Sequence, residues 1–164
     1  MIVQIAQPDD YGAWLRLAGE VEDLFGAMVG EEAFQQTLLK NLQRGTALCV
    51  RAQDGSAGVD LLGGLFYSPK PPIYKISWLA VTQAWRRRGI GQTLVEAFLE
   101  RVIPPAELVV TTFSAEMARG EAARRFYGKL GFQEAEIVYH DFRGKMEAYQ
   151  VFRRAYPGGG LGTG

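Results

Sequence analysis

Residues 79–94 read LAVTQAWRRRGIGQTL: an apolar, strand-like run that breaks into three arginines and two glycines before turning amphipathic. Before it, IYKISWLAV (73–81) has the β-branched and aromatic content of a long strand, and its apolar length marks it as central. After it, from Gly91, Leu94, Val95, Phe98 and Val102 fall on one helical face, and Pro104-Pro105 stops the helix. The stretch is therefore a strand–turn–helix. Glycines let such a turn curl until successive amide N–H groups point into one concavity, to which the helix adds its unpaired N–H groups and positive dipole end. Arg86, Arg87 and Arg88 raise the positive potential there, as a pyrophosphate requires. The competing reading is a solvated basic turn.

Outward from this point, IVQIA is a short strand ended by Pro8, and Asp9 or Asp10 is placed to cap a helix through YGAWLRLAGEVEDLF. A second helix is expected from about Glu31 to Leu42. TALCVRA and VDLLGGLFYS read as antiparallel strands with Asp54-Gly55 as a hairpin signal, and SPKPP as a break before the central strand. ELVVTTF is a strand and GEAARRFYGKL a helix with Gly131 as its C-terminal cap. EIVYHDF and MEAYQVF form a last pair around Arg143-Gly144. The string β-α-α-β-β-β-α-β-α-β-β contains one βαβ unit in a mixed sheet, an α/β chain of one domain over residues 1–156. The glycine-rich tail, 157–164, is expected to be disordered.

Of the 164 residues, 48% are hydrophobic and 22% charged, the composition of a folded domain, and 18 basic residues balance 18 acidic ones. That balance gives no reason to expect nucleic acid or an anionic membrane as partner. The lone Cys49 excludes an internal disulfide and a cysteine-based metal or redox motif, which fits a reducing, cytoplasmic setting. No leader-like N-terminus and no run of about 18 apolar residues is present, so neither export nor a membrane span is expected. The P-loop pattern is absent, and Leu94 stands where a dinucleotide fingerprint needs its third glycine.

The arginine-first pattern Arg86-x-x-Gly89-x-Gly91, after LAV and before an amphipathic helix, resembles the acetyl-coenzyme A site of the GCN5-related N-acetyltransferase (GNAT) superfamily. AARRFYGKLGF, ending at Phe132, is similar to that family's later A-x-x-F-Y-x-x-x-G-F helix, and the two motifs together cover about residues 73 to 132. The resemblance implies a mixed, mostly antiparallel sheet flanked by about four helices and a metal-free acetyl-coenzyme A dependent N-acetyltransferase. Backbone groups of Leu79, Ala80 and Val81 would align the pantetheine arm. Arg86, Arg87, Arg88, Gly89, Ile90, Gly91 and Gln92 would surround the pyrophosphate. Tyr127 matches the tyrosine that many members set near the cofactor sulfur, and dimers through the C-terminal strands occur in the family, which admits a homodimer here. Three positions depart from the pattern: Gln83 replaces a frequent proline, Gly120 a frequent asparagine, and Lys75 the glutamate base of some protein-acetylating members. Those last two departures also suit a non-catalytic module that senses acyl-coenzyme A.

The implied reaction is attack of a neutral amine of a small molecule or peptide on the thioester. At pH 7 an α-amine is about a tenth neutral, a lysine-like amine only about one part in 2,500, so the second needs a base. Candidates are Glu22, Asp23, Glu31, Glu32, Glu116 and His140, although His140 also reads as an ordinary strand-end residue. Tyrosine's reference pKa exceeds that of a thiol, so Tyr127 is expected mainly to hydrogen-bond the developing thiolate. Seven acidic residues among the first 32, against Arg16 alone, would favour a cationic acceptor if they face the cleft and mean nothing if they lie on a solvated face. Trp14, Phe25, Tyr67, Tyr139 and Tyr149 are either an apolar wall or core. Cys49 between Leu48 and Val50 reads as core, not as nucleophile.

Overall fold

A computed structural model describes residues 1–113, 120–142 and 144–158. The elements follow in the order β1 (Gln4–Ile5), α1 (Tyr11–Glu20), α2 (Glu22–Phe25), α3 (Glu32–Arg44), β2 (Ala47–Arg51), β3 (Leu61–Lys70), β4 (Ile73–Val81), α4 (Ile90–Leu99), β5 (Ala106–Phe113), α5 (Glu121–Lys129), β6 (Gln133–Phe142) and β7 (Lys145–Tyr156). The hydrogen-bonded strand order is β1-β2-β3-β4-β5-β7-β6. β4 and β5 are parallel, and β1–β2, β2–β3, β5–β7 and β6–β7 are antiparallel, the mixed sheet expected. The chain forms two compact units: residues 1–68 with 77–101, and residues 69–76 with the described residues from Val102 on.

In the first unit a pair of glycines on β3 decides the packing. Successive strand residues point to opposite faces. A Cβ on Gly64 would lie 2.7 Å from the Trp14 indole of α1, and one on Gly63 would lie 2.8 Å from Ile90 Cγ2 at the start of α4. The bare backbone thus lets α1 approach one face of β3 and α4 the other. On the α1 face Trp14, Phe34, Phe66 and Trp78 form an aromatic nest, in which Phe66 and Trp78 stack at 5.9 Å. On the α4 face Tyr67 meets Phe98 edge-on at 5.1 Å.

Several local expectations need correction. The first helix breaks at Val21, because Glu22 turns back to accept the Met28 and Val29 amides (2.6 and 3.3 Å). Asp10 does not cap α1: its buried carboxylate accepts from Arg51 Nη2 (2.7 Å) and Nε (3.1 Å), from the Gln7 amide (2.8 Å) and from the Gly58 amide (3.2 Å). Asp54-Gly55 is no two-residue hairpin turn. A nine-residue connection joins β2 to β3, with Gln53 and Asp54 left-handed and Gly55 extended. β3 runs on through Pro69 to Lys70, so the break is confined to Pro71-Pro72.

In the second unit, β5, β7 and β6 are fastened by Arg153, whose guanidinium donates to Glu107 on β5 (2.7 Å) and to Glu136 on β6 (2.8 and 3.0 Å). Those hydrogen bonds hold the Glu136 carboxyl down to about 2. α5 ends as its sequence predicts. Gly131, at φ 87°, donates to the Gly128 carbonyl and Phe132 to the Tyr127 carbonyl (both 3.1 Å), which closes the helix with a left-handed glycine. The tail from residue 159 and Arg143 lie outside the described residues.

Candidate functional site

β4 ends at Val81, and the chain turns at once. The Thr82 amide donates to the Leu62 carbonyl (2.8 Å), residues Gln83–Trp85 make one 3-10 turn, and Arg86 continues extended with its Nε on the Val81 carbonyl (3.1 Å). Arg87 (φ 63°) and Gly89 (φ 83°) are then left-handed. Such alternation of hand turns successive amides toward one side. Gly89 is the N-cap of α4 and brings no capping side chain. Its carbonyl takes the Thr93 amide (2.9 Å) and the Thr93 hydroxyl (2.8 Å). The amides of Ile90, Gly91 and Gln92 precede that first intrahelical bond, so helix geometry leaves them without a carbonyl partner.

Ile90 is only 1% exposed and fixes the first turn of α4 against Gly63. Arg86, Arg87, Arg88 and Gly89 are exposed in front of it, and a Cβ on Gly89 would meet no protein atom within 4 Å. Glycine is therefore favoured there by backbone sign and not by crowding from neighbouring protein. The residues from Arg86 to Gln92, expected around the turn, lie together between β4 and the first turn of α4. Upstream, Ala80 packs on Ala18, Val21 and Met28, while Leu79 and Val81 are half-buried, and all three follow the β4–β5 ladder, which covers Ile73–Ile76.

One residue of the turn was not expected. Trp85, 38% exposed, lies under Arg88, whose guanidinium carbon is 4.9 Å from the ring centroid. A tryptophan directly before an arginine cluster was the signal that could have found it. Trp85 also borders a cleft of about 340 Å³ with Arg16, Glu20, Asp60 and Thr82. Its charged lining is internally paired: Arg16 meets Asp60 at 3.0 Å and the Thr82 hydroxyl donates to Glu20 at 2.7 Å.

Tyr127 is 5% exposed on α5, ringed by Phe126, Phe132 and Phe152 at 5.1, 5.6 and 6.4 Å between centroids. Burial pushes its hydroxyl well above the ordinary tyrosine pKa. Gly120 precedes α5 without a capping side chain, and Lys75 is exposed on β4 opposite Val109. His140 is opposite Glu147 in the β6–β7 ladder, with its ring 5.5 Å from that of Tyr149, whose hydroxyl donates to Glu147 (3.0 Å). Strand register brings His140 to Glu147, and Tyr149 lies two residues along the same strand.

The early acidic residues divide by use. Asp10 is buried in an ion pair, Glu20 holds Thr82, Glu22 holds two amides, and Glu32 accepts from Gln36. Glu116 and the Phe25 side chain lie outside the described residues. Trp14 and Tyr67 are core, whereas Tyr139 is 63% exposed. Cys49 is buried in β2, and its thiol is pushed up to about 12 by burial and then by the Asp10 charge, which removes it as a nucleophile. Among the described residues no cluster of three or more His, Cys, Asp or Glu is arranged to hold a metal ion, and no helix is long and apolar enough to cross a membrane.

A mixed sheet of this order, whose central strand feeds an arginine-bearing turn at a helix N-terminus, defines an α/β protein with a free helix start at the end of that strand. The chain belongs to the GNAT acetyltransferase family, since residues 43–134 match the model of the acetyltransferase (GNAT) domain. No curated protein matches the sequence. Similar solved structures include ribosomal-protein-alanine N-acetyltransferase from Brucella melitensis (17% identity, 95% of this chain and 100% of that one, TM-score 0.70). Arabidopsis thaliana NAA60 in complex with a bisubstrate analogue is another (17%, 94% and 98%, 0.71), as is the PaiA N-acetyltransferase of Thermoplasma acidophilum in complex with coenzyme A (16%, 94% and 98%, 0.66). At these identities the likeness is one of fold.

Proposed function

We propose that this protein is an acetyl-coenzyme A dependent N-acetyltransferase that passes the acetyl group directly to a primary amine of a small molecule or peptide. The observation that carries this is the β4–α4 turn: left-handed Arg87 and Gly89, the unpaired amides of Ile90, Gly91 and Gln92, and three exposed arginines. A diphosphate matches that array. Its oxygens accept from the amides, the helix dipole favours their charge, and the arginines supply screening that no single one of them must provide. The solved complexes with coenzyme A and with a bisubstrate analogue support the same cofactor and a ternary arrangement here.

With the diphosphate on the turn, backbone groups of Leu79, Ala80 and Val81 would align the pantetheine arm. An amide near Leu79 or Ala80 would polarise the thioester carbonyl, since fixed donors aimed at a developing oxyanion need no reorganisation. The raised pKa of Tyr127 makes its ionisation costly. In this mechanism its hydroxyl donates a hydrogen bond to the departing thiolate, and the amine's proton leaves by another route.

The test is thiol release from acetyl-coenzyme A in the presence of spermidine, an aminoglycoside and a peptide with a free α-amine. Release above the water rate with at least one amine is expected. Lys75, an exposed cation where some relatives' pattern has a glutamate, favours the alternative of an acyl-coenzyme A sensor. Binding of coenzyme A with no amine-dependent release across a broad amine panel is what that reading predicts, and it would retire the enzymatic one.

A further inference from the structure

The three arginines of the turn are not equivalent. Arg86 is tied through Nε to the Val81 carbonyl, so its guanidinium stays at the end of β4. Arg87 occupies a position whose backbone hand suits glycine. Arg88 alone is held by a side chain: its guanidinium lies over the Trp85 ring, 4.9 Å from the centroid. A guanidinium held over an aromatic ring by its charge keeps N–H groups able to form two parallel bonds to one phosphate, a geometry lysine lacks. Trp85 keeps 38% of its surface exposed, so the Trp85–Arg88 pair is open to solvent.

We infer that Trp85 and Arg88 form a second anion subsite beside the amide-lined one and that it takes a phosphate monoester, the 3′-phosphate on the ribose of coenzyme A. This rests on the reading of the turn given under Proposed function. Coenzyme A carries two separate anionic groups. The helix amides match the diphosphate, and one preorganised guanidinium matches the monoester, the group that distinguishes coenzyme A from 3′-dephospho-coenzyme A. Trp85 is a positioning residue. It holds the Arg88 side chain in one orientation before the ligand arrives, so less side-chain freedom is lost on binding.

The test is calorimetric titration of the intact protein and its Trp85→Ala, Trp85→Phe, Arg88→Ala and Arg88→Lys variants with coenzyme A and with 3′-dephospho-coenzyme A, after thermal unfolding has confirmed that each variant is folded. The wild type should prefer coenzyme A by about tenfold or more, the scale of a charge-assisted bidentate pair. Trp85→Ala and Arg88→Ala should each erase most of that preference by weakening coenzyme A binding. Trp85→Phe should restore most of it, and Arg88→Lys only a part. Equal wild-type affinity for the two ligands overturns the subsite and leaves the turn intact. A loss in Trp85→Ala that is the same for both ligands also overturns it, reducing Trp85 to a support of the turn. Binding of neither ligand to the wild type would instead defeat the reading of the turn itself.

Discussion

Two arginine sites in the first unit differ in every respect that separates structure from ligand binding. Arg51 is 3% exposed and Asp10 not at all. The pair is doubly hydrogen-bonded, and the carboxylate's other bonds go to the Gln7 and Gly58 amides. Arg86, Arg87 and Arg88 are exposed, two of the four residues from Arg86 to Gly89 are left-handed, and the amides ahead of the first α4 hydrogen bond have no helical carbonyl to meet. One site is closed around its charge, the other opens its donors outward. Cations and backbone donors that fold together and satisfy one another belong to the scaffold, and those left open at a rigid helix start are the ones the proposed function uses.

The closed site should produce the largest effect on stability. Asp10→Ala leaves a buried guanidinium unpaired, and a loss of about 3–5 kcal/mol is expected in denaturant unfolding. For the same reason the fold should weaken in acid. Burial raises the Asp10 carboxyl, but the Arg51 hydrogen bonds, the two amides and the guanidinium charge more than reverse this and leave it lowered. A lowered folded-state pKa means that the stabilisation is complete above about pH 4 and is lost as pH falls through the folded value. Unfolding curves across pH 2 to 5 check the sign, and stability that rises toward acid would refute it.

Gly64→Ala comes next. It drives a methyl group into Trp14 at 2.7 Å and should cost about 1–3 kcal/mol without changing the turn. At the open site the ranking of stability against binding should invert. Gly89→Val strains a left-handed residue and fills the space before the amides, so coenzyme A binding should vanish while the protein remains folded. Arg87→Gly should raise stability by about 1 kcal/mol through relief of its left-handed backbone, with only a modest loss of coenzyme A affinity because the amides stay in place. Tyr127→Phe should reduce turnover and leave coenzyme A affinity nearly unchanged.

Most of this contrast could be read from residues 73 to 102, because a β-rich run, a glycine-rich turn and an amphipathic repeat each follow from local rules. The Gly131 cap was equally local. What escaped prediction came from contacts that helical and strand periodicity do not reveal. Asp10 looks like a helix cap until Arg51, 41 residues later, claims its carboxylate. The Gly63-Gly64 pair looks like a weak spot in a strand until helices arrive on both faces. Glu147 acquires its neighbour His140 only through the register of β6 and β7. The Val21 break had its cause in Glu22, whose reach to Met28 and Val29 no helical periodicity reveals.

The most direct measurement is parallel calorimetric titration with coenzyme A, acetyl-coenzyme A, NAD and ATP. Micromolar binding confined to the two coenzyme A compounds, and abolished by Gly89→Val, is the predicted result. No binding of coenzyme A to the folded wild type, or binding that survives Gly89→Val unchanged, would contradict the assignment of the β4–α4 turn.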